Sequence, residues 1–164
     1  MSLGIGRISI PPYVPNKLMW MVSSESRIAA WAVPLNSLEK KNLSDNAISV
    51  ETRFIDAESD PLAKRYLFAY TITITNHGTT ASQLLNRYWL ITTGDGKKEE
   101  VQGPGVVGEQ PRLNSGEAFR YTSGAVLETA VGTMEGHYEF RSDGGDLFKV
   151  AIPPFSLAVP NAVH

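Results

Sequence analysis

The segment RYLFAYTITIT, residues 65–75, constrains the fold of this chain more than any other feature. Large apolar residues occupy every second position, and the positions between them hold Leu67, Ala69 and three threonines. Alternate residues of a β-strand point to opposite faces, so this pattern is typical of a strand. We predict a central strand whose inward face carries Tyr66, Phe68, Tyr70, Ile72 and Ile74.

Further strand-like segments follow at short intervals, separated by turn signals. ISVETRF at 48–54 predicts an outer strand, and PPFSLAV at 153–159 predicts an edge segment where proline is tolerated. The turns are marked by NHG, GDG, NSG and DGG, of which GDG predicts a hairpin. An all-β fold of about seven or eight antiparallel strands follows, as a β-sandwich or a small barrel. Because the chain has no cysteine pair, an immunoglobulin-like sandwich would be of the fibronectin type III kind.

Composition excludes several functional classes. The net charge of −2 is too small for a protein that grips phosphate backbones, so nucleic acid is not an expected partner. The absence of cysteine excludes disulfides, thiolate nucleophiles and the usual structural zinc sites. No apolar run approaches the roughly 18 residues of a membrane span, so membrane insertion is not expected. A cytoplasmic location is the corresponding expectation.

The sequence changes character near residue 45. Residues 1–45 contain prolines, Trp20 and Trp31 but no sustained apolar period, whereas strand patterns begin at residue 46. We therefore expect one β domain over 46–164, preceded by an N-terminal extension over 1–45. That extension is expected to be irregular, to be a targeting segment, or to reflect a translation start nearer Leu43.

The glycine loop, GPGVVGEQP at 103–111, carries the G-x-G-x-x-G spacing of a dinucleotide-binding turn. In that motif a helix must follow the third glycine, and its N-terminus must face the pyrophosphate. Here Pro111 biases Gln110 away from helical geometry, and no helical apolar period follows. We interpret the loop as a tight turn that needs positive φ or a close approach to another strand. Partner docking and anion binding by its backbone N–H groups stay open as alternatives.

The candidate partner-binding residues lie in this loop and on one neighbouring strand. They are Gly103, Gly105, Val106, Val107, Gly108, Glu109 and Arg87. The segment NRYW places Arg87 and Trp89 on one face of a strand and Tyr88 on the other. Arg, Tyr and Trp are enriched at the centres of interfaces. The alternative is that one aromatic residue fills the core while Arg87 pairs with an acidic neighbour.

The remaining polar residues include one candidate set of metal ligands and one candidate nucleophile. EGHYE aligns Glu135, His137 and Glu139 on one strand face, and such ligands suit Co²⁺ or Mg²⁺. The apolar opposite face makes a solvated outer face the simpler interpretation, and no metal or other cofactor is expected. His77 and His164 are expected at the surface. Ser123 lies outside any G-x-S-x-G elbow, so no catalytic residue is assigned.

Several segments resemble the bacterial ApaG family, whose domain also occurs in eukaryotic F-box substrate adaptors. The segments are DAESDPLAKRYLFAYTITITNHG, LLNRYWLITTGDG, EVQGPGVVGEQP, YTSGAVLET, GTMEGHYEF and IPPFSLAVP, which together cover about residues 46–164. The resemblance implies a fibronectin type III-like or immunoglobulin-like sandwich without established catalysis. It also implies a link to cobalt resistance and magnesium efflux, and a gene beside that of a diadenosine tetraphosphate hydrolase.

These implications lead to one functional expectation and two alternatives. We expect a non-enzymatic module that binds an as yet unidentified protein, with an indirect role in Co²⁺ and Mg²⁺ homeostasis. The first alternative is an enzyme or accessory protein of dinucleoside polyphosphate or pyrophosphate metabolism. The second is a direct Co²⁺- or Mg²⁺-binding protein. A homodimer formed through an exposed edge strand is a further expectation about partners.

Overall fold

The computed structural model describes residues 19–29 and 45–162, and for residues 19–29 it describes the backbone alone. Within these ranges the chain forms nine β-strands and two single-turn 3₁₀-helices, at Asp56–Glu58 and Pro61–Ala63. The strands are β1 Met19–Ala29, β2 Asn46–Phe54, β3 Tyr66–Asn76, β4 Ser82–Thr93, β5 Lys98–Pro104, β6 Arg112–Leu113, β7 Glu117–Leu127, β8 Val131–Ser142 and β9 Leu147–Ala158.

The strands form two antiparallel sheets that pack face to face. The first sheet has the order β1-β7-β3-β2, and the second has the order β5-β4-β8-β9 with β6 added beside the start of β4. β2 lies over β9, so β5 and β2 occupy opposite sides of the molecule. The predicted β-sandwich is thereby confirmed, as are the interior position of β3 and the edge positions of β2 and β9.

The core lies between the sheets and is rich in aromatic residues. The inward positions predicted for β3 are buried at Phe68, Tyr70, Ile72 and Ile74, as the alternation required. Trp89 of β4 is fully buried and packs against Tyr70 across the sandwich, with ring centroids 5.6 Å apart. Aromatic pairs in such tilted or edge-on contacts stabilise a core beyond the area they bury.

The expectation of an irregular N-terminal extension is wrong for Met19–Ala29. This segment forms β1, which pairs antiparallel with β7 and satisfies backbone groups at what would otherwise be a sheet edge. Two register shifts, at Met21/Ser23 and Glu25/Ile28, interrupt the pairing, and such irregularities disrupt the period of two that reveals a strand in a sequence. The remaining expectations for residues 1–18 and 30–44 lie outside the described residues.

Four connections meet at one end of the sandwich. They are the glycine loop between β5 and β6 and the three turns that join β3 to β4, β6 to β7, and β8 to β9. Asn76 binds two of them together, because its buried side-chain amide donates to the carbonyls of Thr80 and Leu113, each at 3.0 Å. The same side chain accepts a bond from the N–H of Gly78 at 2.9 Å. This end of the molecule is therefore cross-linked by hydrogen bonds.

The helical content of the described ranges consists of the two three-residue turns named above. Accordingly, residues 19–29 and 45–162 include no helix with the length and apolar character needed to span a membrane.

Gly136 in β8 provides a test of how tightly β4 and β8 pack. A Cβ atom at Gly136 would lie 1.9 Å from the carbonyl oxygen of Tyr88, so Gly136→Ala forces the two strands apart. We expect a loss of about 2 kcal/mol or more in the free energy of unfolding, measured by urea denaturation. Gly144→Ala is the matched control, since its Cβ would meet nothing closer than 3.7 Å. Equal stability of the two variants would contradict the prediction.

Candidate functional site: the glycine loop

The glycine loop is a compact hairpin turn. Val106 and Glu109 exchange backbone hydrogen bonds, with Val106 N–H to Glu109 O at 2.8 Å and Glu109 N–H to Val106 O at 2.9 Å. Between them, Val107 and Gly108 both have positive φ, at 48° and 77°. Two successive positive φ values are the mark of a type I′ turn. Gly105 before the turn also has positive φ, at 59°, as the sequence predicted for this loop.

Val107 is the unusual residue of this turn. The first central position of a type I′ turn is normally Asn, Asp or Gly, and a β-branched residue with positive φ is a true outlier. Holding such a conformation costs roughly 1–3 kcal/mol and requires support from the surrounding structure. Val106 supplies part of that support, since it is 1% exposed and belongs to the core, and Val107 packs partly against the same core.

Arg87 fixes the position of the loop. Its guanidinium Nη1 donates to the carbonyls of Pro104 at 2.9 Å and Gly105 at 2.8 Å. Gly103 lies directly across from Arg87 in the β4–β5 pairing, and a Cβ there would touch the guanidinium at 3.5 Å. The predicted split of NRYW is confirmed, because Trp89 enters the core beside Arg87. An acidic neighbour was one alternative for Arg87, and in its place the side chain binds these two main-chain carbonyls, which the returning loop brings to it.

Gln110 and Gln83, which the sequence analysis did not single out, also attach the glycine loop to β4. The Gln110 side-chain amide donates to the Leu85 carbonyl at 2.9 Å, and the same carbonyl accepts the Gly105 N–H at 2.8 Å. Gln83 in turn donates from its side chain to the Gln110 carbonyl at 3.1 Å. Leu85 sits where the β4–β8 pairing shifts register, between Leu84 and Asn86. A β-bulge of this kind has no clear sequence signal, which is why the contact escaped prediction.

Buried tyrosines lie behind Arg87. Tyr138, its direct neighbour in the β4–β8 pairing, shares a hydrogen bond of 2.5 Å between hydroxyl oxygens with Tyr121 of the other sheet. Burial raises the pKa of both phenols, and the nearby Arg87 charge offsets part of that rise. Burial likewise raises the pKa of Tyr70, whose neighbour in β7 is Ser123. A neutral phenol pair therefore links the two sheets beneath the loop.

The loop geometry opposes dinucleotide binding. After Gly108 the chain closes a hairpin at Glu109 and then continues into β6, so no helix begins where a pyrophosphate would need one. The extended path predicted beyond the third glycine is confirmed. The N–H groups of Gly105, Val106 and Glu109 are already bonded to main-chain carbonyls, which leaves these three donors unavailable to an anion.

The three aligned residues of EGHYE occupy the outer face of β8, as the alternation predicted. His137 stacks on Tyr88 of β4, with ring centroids 5.0 Å apart. Glu139 accepts a hydrogen bond from Asn86 at 2.9 Å and lies 3.8 Å from the Lys149 ammonium. Among the residues that the structure describes, no group of three His, Asp or Glu side chains is arranged to hold a metal ion.

The remaining candidates from the sequence are Ser123, His77 and His164. Ser123 is 4% exposed on β7, which places its hydroxyl inside the sandwich. His77 is half-buried in the β3–β4 turn, and its backbone N–H donates to the Asp45 carbonyl at 2.8 Å. His164 lies outside the described residues.

Fold and site together define a β-sandwich that presents a hydrogen-bonded glycine hairpin at one end. A family model described as the ApaG domain matches residues 56–142. Curated proteins called Protein ApaG, from Salmonella arizonae and Salmonella enteritidis, are 56% identical over 117 residues, which cover 71% of this chain and 94% of theirs. The chain belongs to the ApaG family.

Solved structures agree with this assignment. A crystal structure of a putative ApaA protein from Bordetella pertussis is 46% identical and has a TM-score of 0.70, covering 71% of this chain and 95% of that one. A second X-ray structure, a structural genomics target, is 45% identical with a TM-score of 0.71, covering 75% of this chain and 94% of that one. The resemblance inferred from the sequence is thus confirmed.

Gly105→Ala tests whether the loop depends on glycine for its shape. The new Cβ would lie 2.3 Å from the Glu109 carbonyl oxygen, in a residue that also needs positive φ. We expect a loss of about 3 kcal/mol in the free energy of unfolding. Gly116→Ala is the matched control, because it has positive φ with nothing within 4 Å and should lose only about 1 kcal/mol. Similar losses in both variants would show that the close approach is unimportant.

The buried tyrosines predict an alkaline limit to stability. Because burial raises the pKa of Tyr70, Tyr121 and Tyr138, the folded protein holds these protons more tightly than the unfolded chain does. The contribution of these phenols to the stability of the folded state is complete below the ordinary phenol pKa of about 10 and declines as the pH rises above that value. Melting temperatures should therefore fall steeply above about pH 10. In Tyr121→Phe/Tyr138→Phe the decline should be shallower, and an unchanged slope would contradict the assignment.

Proposed function

We propose that this chain is a non-enzymatic protein-binding module whose binding surface is the glycine loop and the adjoining strand ends. The observation that carries the proposal is a hydrogen-bonded hairpin turn with an exposed tip. Gly108, Glu109 and Gln110 are exposed, while Val106 and Arg87 hold the base of the turn in place. The location is the usual one, since sandwich folds commonly bind partners through loops at their ends.

The hydrogen bonds that order the glycine loop favour the binding of a protein partner. A loop that is already ordered loses little conformational entropy when a partner docks, so more of the contact energy appears as affinity. The turn is held by the Val106–Glu109 backbone bonds and by the two Arg87 bonds. Strained backbone, such as that of Val107, also tends to occur at binding sites and other functional sites.

The tip has a mixed chemical character that suits a protein partner. Val107 offers a half-exposed apolar side chain, Glu109 an exposed carboxylate and Gln110 an exposed amide-bearing side chain. Beside the tip, Arg112 pairs with Asp143 on the next turn along this end of the molecule. An apolar contact surrounded by polar and charged groups is the usual arrangement of a protein interface.

The cellular role is part of the proposal and rests on the family. Members of the ApaG family are linked to cobalt resistance and magnesium efflux, and we propose that this chain acts there indirectly, in the cytoplasm, through its protein partner. The contacts on the outer face of β8 support an indirect role. There His137 stacks on Tyr88, and Glu139 contacts Asn86 and Lys149. The buried position of Ser123 likewise favours binding over catalysis.

A matched pair of charge reversals tests the proposed surface. Glu109→Arg changes the exposed loop tip, and Asp56→Arg makes the same charge change at the opposite end of the sandwich. In affinity capture from native lysate followed by mass spectrometry, wild type and Asp56→Arg should retain the same proteins. Glu109→Arg should lose at least one of them while its melting temperature stays within about 2 °C of wild type.

Two outcomes would overturn the proposal. One is capture that is identical for Glu109→Arg and Asp56→Arg, which would place any partner elsewhere. The other is low-micromolar binding of ATP, pyrophosphate, diadenosine tetraphosphate, Mg²⁺ or Co²⁺ to the purified chain in calorimetry. Binding of a polyphosphate would favour dinucleoside polyphosphate metabolism, and binding of a cation would favour a direct metal-binding role.

A further inference from the structure

β2 is an edge strand with a regular, unpaired outer side. It pairs with β3 at nine successive positions without a register shift, and no other described strand pairs with it. The bonds that flank this pairing, Ile55 N–H to Leu67 O and His77 N–H to Asp45 O, both 2.8 Å, show that odd-numbered residues direct their backbone groups toward β3. The backbone groups of the even-numbered residues from Asn46 to Phe54 therefore point away from the sheet.

The other described edges carry features that hinder the addition of a strand. β9 contains Pro153 and Pro154 together with a register shift against β8. β5 ends in Gly103-Pro104 and carries Glu99 on its inward side, across from Ile91. β1 pairs with β7 through two register shifts. Prolines, bulges and inward-facing charges are the usual protections of an edge strand, and β2 has none of them.

The side chains of β2 also leave apolar surface at this edge. Ile48, Val50 and Phe54 pack against the core but are only partly buried. A strand added beside β2 would cover their exposed sides and bind its backbone groups at the same time. An edge that offers both contacts is suited to the addition of a β-strand.

We propose that the occupant of this edge is β2 of a second copy of this chain, paired antiparallel about a two-fold axis at Thr52. In that register Glu51 of each copy lies opposite Arg53 of the other, on the outer face. The inward-facing Val50 lies opposite Phe54 of the second copy. Thr52 has its backbone groups directed outward, so the two Thr52 residues form a hydrogen-bonded pair at the axis.

Charge selects this register over its neighbours. An axis at Glu51 places the two Glu51 carboxylates opposite each other, and an axis at Arg53 does the same for the guanidinium groups. Like charges directly opposite are destabilising, whereas opposite charges stabilise a strand pair. Within one copy Glu51 already lies 3.0 Å from the Arg120 guanidinium, so Arg53 of the second copy would approach the carboxylate from the other side.

This interface is independent of the proposed partner-binding loop. β5, from which the glycine loop emerges, lies on the side of the sandwich opposite β2. A dimer formed through β2 leaves both loops exposed, and loss of one interaction leaves the other measurable. Failure of the dimer and failure of the proposed function are therefore distinguishable.

The test uses two single charge reversals and their mixture. In a dimer of Glu51→Arg, the new arginine of each copy lies opposite Arg53 of the other copy. In a dimer of Arg53→Glu, the new glutamate of each copy lies opposite Glu51 of the other copy. Each variant alone should self-associate at least about tenfold more weakly than wild type in sedimentation velocity. An equimolar mixture restores both attractive pairs in a heterodimer, so its association should return to the wild-type level. Glu135→Arg, on the outer face of β8, is the control and should associate as wild type does.

Three results would overturn the inference. A monomeric wild type up to about millimolar concentration would mean that a second copy does not bind this edge. Association of both single variants at the wild-type level would place the dimer interface elsewhere. Weakened variants whose mixture stays weak, with native circular dichroism and melting temperatures, would exclude the register centred on Thr52.

Discussion

The burial of Trp89 between the two sheets is the constraint on which the rest of this structure depends. Its ring packs edge-on against Tyr70 of the opposite sheet and against Tyr138 and Phe155 of its own, at centroid distances of 5.6, 6.2 and 5.8 Å. Successive side chains of a strand alternate between faces, so fixing Trp89 inward also fixes its neighbours. Arg87 must then lie on the inner side, where it meets the loop, and Tyr88 must lie outside, where it stacks on His137.

The glycine loop illustrates how one spacing serves two unrelated structures. In a dinucleotide fold three glycines open a helix, whereas here the second and third permit a close backbone approach and a hairpin turn. Gly105 avoids the Glu109 carbonyl, and Gly108 takes the second central position of the turn. A Cβ at Gly103 would make only ordinary contact with the Arg87 guanidinium, at 3.5 Å. The requirement for glycine is conformational at Gly105 and Gly108, which have positive φ, and at Gly105 it is also steric.

The sequence predicted those parts of the fold that depend on local patterning. Alternation along β3 and the turn signals GDG and DGG led directly to the sandwich, the β4–β5 hairpin, the β8–β9 turn and the burial of Tyr70. It missed β1, whose register shifts disrupt the alternation, and neither of its alternatives for Arg87 included the main-chain carbonyls that this side chain binds. Both features have the same cause, because the pairing of β1 and the partners of Arg87 depend on which distant segment of the chain lies beside them. The positive φ of Val107 was likewise hidden, since β-branched residues normally avoid it.

The pairing of β3 with β7 has a consequence for how the chain is made. Thr71 and Thr122 bond their hydroxyls at 2.8 Å although 51 positions separate them in the sequence. β3 therefore obtains its second neighbour only after the hairpin of β4 and β5, the glycine loop and β6 have all been synthesised. Until then one edge of β3 is open to solvent and to other chains. Contacts of such long range slow folding, so the newly made protein passes through an interval in which aggregation competes with closure of the sandwich.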